Sequence, residues 1–249
     1  MVQAIGRGYY PSVAHKRHDA RGIVKVTAPP YCLVIFDCDG TLADSFPWFR
    51  AVINDVADHF GFPHLDDAKI EALRSAGARE ILQQLGVPRW KVPLIARHMR
   101  QMKTRDAHRI ALFPGVPAIL RRLKQNGVTL AVVSSDSEGN VRHTLGPMNA
   151  GLIDHFACGA PVFGKPGLMR RVLRRSGSQP GEVLAIGDEI RDAEAARSVG
   201  IAFGAVSWGY TRPAALAAHA PAIMFATIDE IPLHVGGCNV PNGIAQTEY

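Results

Sequence analysis

Short, continuous apolar runs alternate with segments of helical period along this chain, and that alternation constrains the fold more than any other feature. Tyr31 to Phe36, Val128 to Val133, Val183 to Ile186 and Ile201 to Val206 read as buried strands, with Ala222 to Phe225 as a fifth. Between them, Val116, Ile119, Leu120 and Leu123 mark a helix closed by Gly127. Leu168 to Leu173 lies in another helix, and Ala193 to Val199 in a third that stops at Gly200. Strands apolar on both faces and separated by helices predict an α/β fold: a doubly wound parallel sheet covered on both sides. In such sheets ligands sit beyond the carboxyl ends of the strands.

One stretch breaks the alternation. Residues 46–110 read as helical throughout, with Phe49, Val52, Ile53, Val56 and Phe60 on one face and Asp66 as a cap for the helix of Ile70 and Leu73. The expected organisation is a core of residues 31–45 and 111–235, with a helical cap of residues 46–110 inserted after the first strand. A loose leader of residues 1–30 and a flexible tail of residues 236–249 complete it.

Composition narrows the class. The chain has 249 residues, 47% of them hydrophobic and 20% charged, with a formal net charge of +6. The basic residues are dispersed, and the one cluster, Arg170, Arg171, Arg174 and Arg175, reads as a solvated helix face rather than a nucleic-acid surface. No apolar run is long enough to span a bilayer, and no apolar region follows the basic N-terminus, so neither a membrane span nor a signal peptide is expected. Cys32, Cys38, Cys158 and Cys238 are scattered, which predicts reduced thiols in a cytoplasmic protein.

Three strand ends carry the candidate chemistry. The first ends in Asp37-Cys38-Asp39-Gly40-Thr41, where two carboxylates repel unless a cation or a shared proton intervenes. The third ends in Gly187-Asp188-Glu189, with Asp192 beyond, placing further acids on the same rim. Carboxylates converging there suit a hard cation such as magnesium. The second ends in Ser134-Ser135, whose hydroxyls and backbone N–H groups can hold phosphate oxygens. Lys165, beside Pro166, opens a helix, where its charge opposes the helix dipole unless an anion lies near. Each piece alone has a plain structural reading: a solvated Asp-Gly turn, acids at a helix N-terminus, a serine cap, a surface lysine.

Together and in this order, Asp37-Cys38-Asp39-Gly40-Thr41, Ser134, Lys165 and Gly187-Asp188 with Asp192 resemble the four motifs of the haloacid dehalogenase superfamily. The helical insert and Val206-Ser207-Trp208-Gly209-Tyr210 resemble its phosphoglycolate phosphatase-like branch. The resemblance implies a magnesium-dependent phosphatase acting on a small phosphorylated metabolite. Asp37 is then the nucleophile that becomes an aspartyl-phosphate, and Asp39 the general acid and base, which requires its pKa to lie well above about 3.9. Asp37, Asp188 and the Asp39 backbone carbonyl are the implied Mg2+ ligands, and Ser134, Ser135 and Lys165 the implied phosphate contacts. Asp192 orients Lys165 or a metal-bound water, and Thr41 supports the turn near Asp39. Roughly four negative charges of substrate and carboxylates then face roughly three positive ones from magnesium and Lys165.

Arg74, Ser75 and Arg79 are the candidate substrate contacts of the insert, an Arg there being suited to a substrate carboxylate. Ser135 departs from the family pattern, in which close relatives often carry Asn. The alternatives are a phosphomutase or other phosphotransferase with the same motifs, and a catalytically silent binding module. A phosphonate hydrolase needs a cap lysine; Lys69, Lys91 and Lys103 are available, none in a recognisable motif.

Overall fold

The structure, a computed structural model, describes residues 15–18, 24–27 and 31–236. Strand β1 (His15–His18) pairs antiparallel with β2 (Val24–Thr27), inside the stretch expected as a leader. The rest of residues 1–30, and the expected tail beyond residue 236, lie outside the described residues. Next come β3 (Leu33–Phe36) and β4 (Ala43–Asp44). Four helices follow without an intervening strand: α1 (Phe46–Phe60), α2 (Asp67–Leu73), α3 (Ala78–Gln84) and α4 (Val92–Arg105). The chain returns through β5 (Ala111–Leu112), antiparallel to β4, so this two-stranded ribbon is the stem of the helical segment.

Alternation then resumes with α5 (Val116–Gln125), β6 (Thr129–Val133), α6 (Glu138–Ala150), β7 (His155–Ala157), α7 (Lys165–Ser176) and β8 (Val183–Gly187). It ends with α8 (Ile190–Val199), β9 (Ala202–Val206), α9 (Pro213–Ala217), β10 (Ile223–Phe225) and α10 (Ile231–His234).

The six-stranded sheet has the order β10-β9-β8-β3-β6-β7, and every pair in it is parallel. Strand β3 lies between β6 and β8, with Phe36 level with Val132 and Ile186. The chain runs outward from β3 to β7, then crosses back to β8 and runs outward on the other side. The carboxyl ends of β3, β6 and β8 therefore meet where the winding reverses, the place such sheets leave for a ligand. Strand β7 was not among the expected strands; it has three residues, too few to show a pattern.

Period-two alternation explains the core. Val34 and Phe36 pack with Leu120, Leu123 and Val132 on one face of the sheet, while Leu33 and Ile35 pack with Val133, Val172 and Ala196 on the other. A third apolar cluster, including Ile53, Leu65, Ile70 and Leu73, belongs to the helical segment. Local signals set the helix ends. Asp66 Oδ1 accepts the Lys69 N–H at 2.7 Å, the expected cap, and α1 closes at Gly61 with φ 70°.

Cys38 and Cys158 are free thiols, but Cys32 is disulfide-bonded, against the expectation of reduced cysteines throughout. No helix among the described residues is long and apolar enough to cross a membrane.

Leu120 of α5 is completely buried against the sheet. Leu120→Ala is expected to lower stability by about 2–5 kcal/mol, measured by urea denaturation. A loss no larger than that of a surface substitution would contradict this packing.

Candidate active site

Three strand ends deliver the site. Asp37 follows β3, and its N–H donates to the Ile186 carbonyl of β8 at 2.9 Å. Asp188 follows β8, and Ser134 follows β6 with its N–H on the Ala157 carbonyl at 3.2 Å. Gly40 adopts φ 75°, and a Cβ there would run into the Asp188 carboxylate. Gly209 likewise has no room for a Cβ against Asp188. The two glycines let both loops close on that one carboxylate.

Lys165, only 2% exposed, lies between two acids: its Nζ is 2.6 Å from Asp37 Oδ2 and is hydrogen-bonded to Asp192 Oδ1. Burial works against its charge, but Asp192 and Asp37 outweigh burial and hold the ammonium above its ordinary range. Asp192 Oδ2 also accepts the Glu189 N–H at 3.1 Å. The helix-opening lysine is thus neutralised by carboxylates, which offset the unfavourable dipole.

Asp188 Oδ1 accepts from Thr41 Oγ1 at 2.7 Å and its Oδ2 from the Tyr210 N–H at 2.8 Å. Thr41, expected to support the turn near Asp39, gives its hydroxyl to Asp188. Burial, then Glu189, Asp37 and Asp192, raise the Asp188 pKa well above the usual carboxylate range. For Asp37, burial pushes the pKa up to about 6 although Lys165 pulls it down.

This arrangement fits a hard cation. Carboxylate oxygens of Asp37, Asp188 and Asp192 lie within 4.8 Å of one another, all buried. Asp37 Oδ2 has Lys165 Nζ at 2.6 Å, and Asp37 Oδ1 accepts the Cys38 N–H at 2.8 Å. An all-oxygen donor set of buried acids is the environment a divalent hard cation relieves.

Asp39 departs from expectation. Burial raises its pKa, but Lys103 of α4, 2.5 Å from Oδ1, outweighs burial and holds the carboxyl below its usual range. The raised pKa expected of a proton donor is therefore not found in this arrangement. Lys103 Nζ is also 2.8 Å from Asp136 Oδ2, and both side chains are almost fully buried. Asp136 Oδ1 accepts from Asn140 Nδ2 at 2.8 Å, and Thr104 Oγ1 donates to Asn140 Oδ1 at 2.7 Å. Consecutive residues of α4 thus dock on the start of α6. Charged between two acids, Lys103 is a poor amine nucleophile, which argues against Schiff-base chemistry.

A cavity of about 330 Å3 opens over these groups, lined by Asp39, Trp48, Lys103, Ser135, Arg191 and Tyr210 among others. Ser134 is buried with its Oγ accepting the Asp136 N–H at 3.0 Å, while Ser135 faces the cavity. The structure brings together Asp37, Asp39, Thr41, Ser134, Ser135, Lys165, Asp188 and Asp192. It does not bring Arg74, Ser75 and Arg79 to them as free contacts. Arg74 donates to the carbonyls of Tyr210 and Gly209 at 2.8 and 3.0 Å and to both oxygens of Glu71 at 3.2 Å, so it clamps a loop. Ser75 and Arg79 line a different cleft, where Arg79 lies 5.2 Å over the Phe163 ring.

Lys103, Asp136, Arg191 and Tyr210 were missed as site residues. Only Lys103 left a signal: it follows Met99 by four residues, a cation on an otherwise apolar helix face.

Residues 34–206 match the profile of the haloacid dehalogenase-like hydrolases. A phosphoglycolate phosphatase of Synechococcus elongatus is 32% identical over 201 residues, covering 80% of this chain and 94% of that protein. The tyrosine-protein kinase PtkA of Mycobacterium tuberculosis is 29% identical over 207 residues, covering 80% of this chain and 70% of its own length. Among solved structures, CbbY from Rhodobacter sphaeroides in complex with phosphate superposes with a TM-score of 0.62 at 23% identity, covering 81% of this chain and 96% of that one. That last likeness shows the fold.

The raised Asp37 pKa gives a signed expectation. Well below the unfolded value of 3.8 the carboxyl is protonated folded and unfolded, and stability is unaffected. As pH rises through the unfolded value and then through about 6, the folded state resists ionisation and loses up to about 3 kcal/mol. Asp37→Asn should therefore raise the melting temperature in chelator at pH 8 and leave it little changed at pH 4. An unchanged or lowered melting temperature at pH 8 would contradict the burial argument.

Proposed function

Because this chain belongs to the haloacid dehalogenase-like hydrolases, we propose that it is a magnesium-dependent phosphatase that hydrolyses a small phosphomonoester of the phosphoglycolate kind through an aspartyl-phosphate on Asp37. The family and its phosphatase relatives establish the phosphatase class. The magnesium, the intermediate and the ester belong to the proposal. One observation carries it: the buried Asp37 carboxylate, 2.6 Å from Lys165 Nζ, on the same rim as Asp188 and Ser134.

In this reading Asp37 attacks phosphorus while Lys165 and the Ser134 hydroxyl hold phosphate oxygens. Asp192 keeps Lys165 charged and in place. Asp37, Asp188 and the Asp39 carbonyl hold magnesium, which when bound offsets the negative charge gathered around phosphorus. Asp39 gives a proton to the leaving alcohol and then takes one from the attacking water. It does so only after Lys103 has parted from it, because the ion pair favours the ionised carboxylate. Residues 46–110 act as a cap, since α4 carries Lys103 and α1 carries Trp48 to the cavity. Closure of that cap excludes water while the ester is positioned.

A second reading follows from the kinase among the relatives: the same residues pass the phosphoryl group to a hydroxyl in place of water. Acceptor competition separates the two.

Phosphate release from a panel of small esters, phosphoglycolate included, should require magnesium and stop in chelator. Asp37→Asn should lower the rate by on the order of 10⁴ or more. Folded native protein that released phosphate equally well in chelator, or with Asn at 37, would remove the basis of this reading.

A further inference from the structure

The cavity over Asp39 does not end at the phosphate site. Its wall at Phe49, Ile81, Leu82 and Tyr210 is also a wall of a second cavity of about 220 Å3 that runs in among the four helices of residues 46–105. Past this shared wall the lining is aliphatic and aromatic, with Ile53, Phe62, Leu65 and Ile95 among its residues. Of the charged residues in its lining, Arg74 is held by Glu71 and two loop carbonyls, and Arg191 pairs with Glu189 at 2.5 Å while its buried Nε has no partner.

The helices leave this space rather than closing it. Helix α3 has no buried residue, although its Ile81 and Leu82 pack against the helical cluster and line both cavities. Apolar side chains left half-exposed around a common space gain from any apolar group that fills it.

We propose that this second cavity is the subsite for the alcohol half of the substrate, and that the preferred ester carries an apolar chain or ring larger than glycolate. The proposal rests on the phosphatase reading. With phosphate between Asp37, Lys165 and Ser134 and the ester oxygen toward Asp39, the alcohol extends toward the residues that line both cavities. The polar end of the ester is held by the strand ends and its apolar end by the helical segment, so one substrate bridges both halves of the molecule.

The test is kcat/KM for ethyl, butyl, hexyl and octyl phosphate beside phosphoglycolate, together with calorimetric binding of the same series to Asp37→Asn. We expect kcat/KM and affinity to rise by about threefold to fourfold per methylene until the cavity is filled. Ala78 lines both cavities, so Ala78→Leu sets a larger side chain between them and should bring the octyl-to-ethyl ratio of kcat/KM close to one. A flat or falling series in both turnover and binding, with phosphoglycolate well hydrolysed, would overturn the subsite and leave the phosphatase reading intact. Chain-length-dependent binding without turnover of any ester would support the subsite and defeat the phosphatase reading.

Discussion

The structure turns on one electrostatic problem: Asp37, Asp188, Asp192 and Lys165 are all at most 5% exposed at the ends of buried strands. Removing several carboxylates from water is costly, and like charges add to the cost. Lys165 and Arg191 bring positive charge toward Asp37 and Asp192. Thr41 and the Tyr210 N–H supply hydrogen bonds to Asp188, and Glu189 donates its N–H to Asp192. A cluster built this way could hold a metal ion, and that links the sheet topology to the proposed chemistry.

The helical segment is fastened to this centre by polar and aromatic contacts and by the core itself, which Trp48 and Val52 of α1 enter. Tyr210 sets its ring edge against Phe46 and Phe49 of α1 while its N–H holds Asp188. Arg74 reaches from the end of α2 to the carbonyls on either side of the same loop position. Lys103 spans from α4 to Asp39 and Asp136. Buried ion pairs of this kind specify position more than they stabilise, because desolvation offsets much of their attraction.

Much of this was legible in the sequence. Strands β3, β6, β8 and β9 are continuous apolar runs because both faces of the sheet are covered, and a strand buried on both faces leaves no polar alternation to confuse the reading. The acids and hydroxyls ending β3, β6 and β8 could be placed on one rim as soon as the strands were taken as parallel. What failed depends on contacts distant in the chain. The Asp39 pKa is reversed by a lysine 64 residues away. Arg74 sits in the expected region, yet its guanidinium is held by a loop 135 residues on. Cys32 carries a disulfide that scattered spacing did not suggest.

The central claim is that Asp37 carries the phosphoryl group during turnover. Acid quenching during hydrolysis of a good ester, followed by peptide mass spectrometry, tests it directly. The account predicts one phosphoryl group on the peptide containing Asp37, and none in Asp37→Asn treated alike. Rapid turnover with that peptide unmodified throughout, or with the phosphoryl group on another residue, would contradict it.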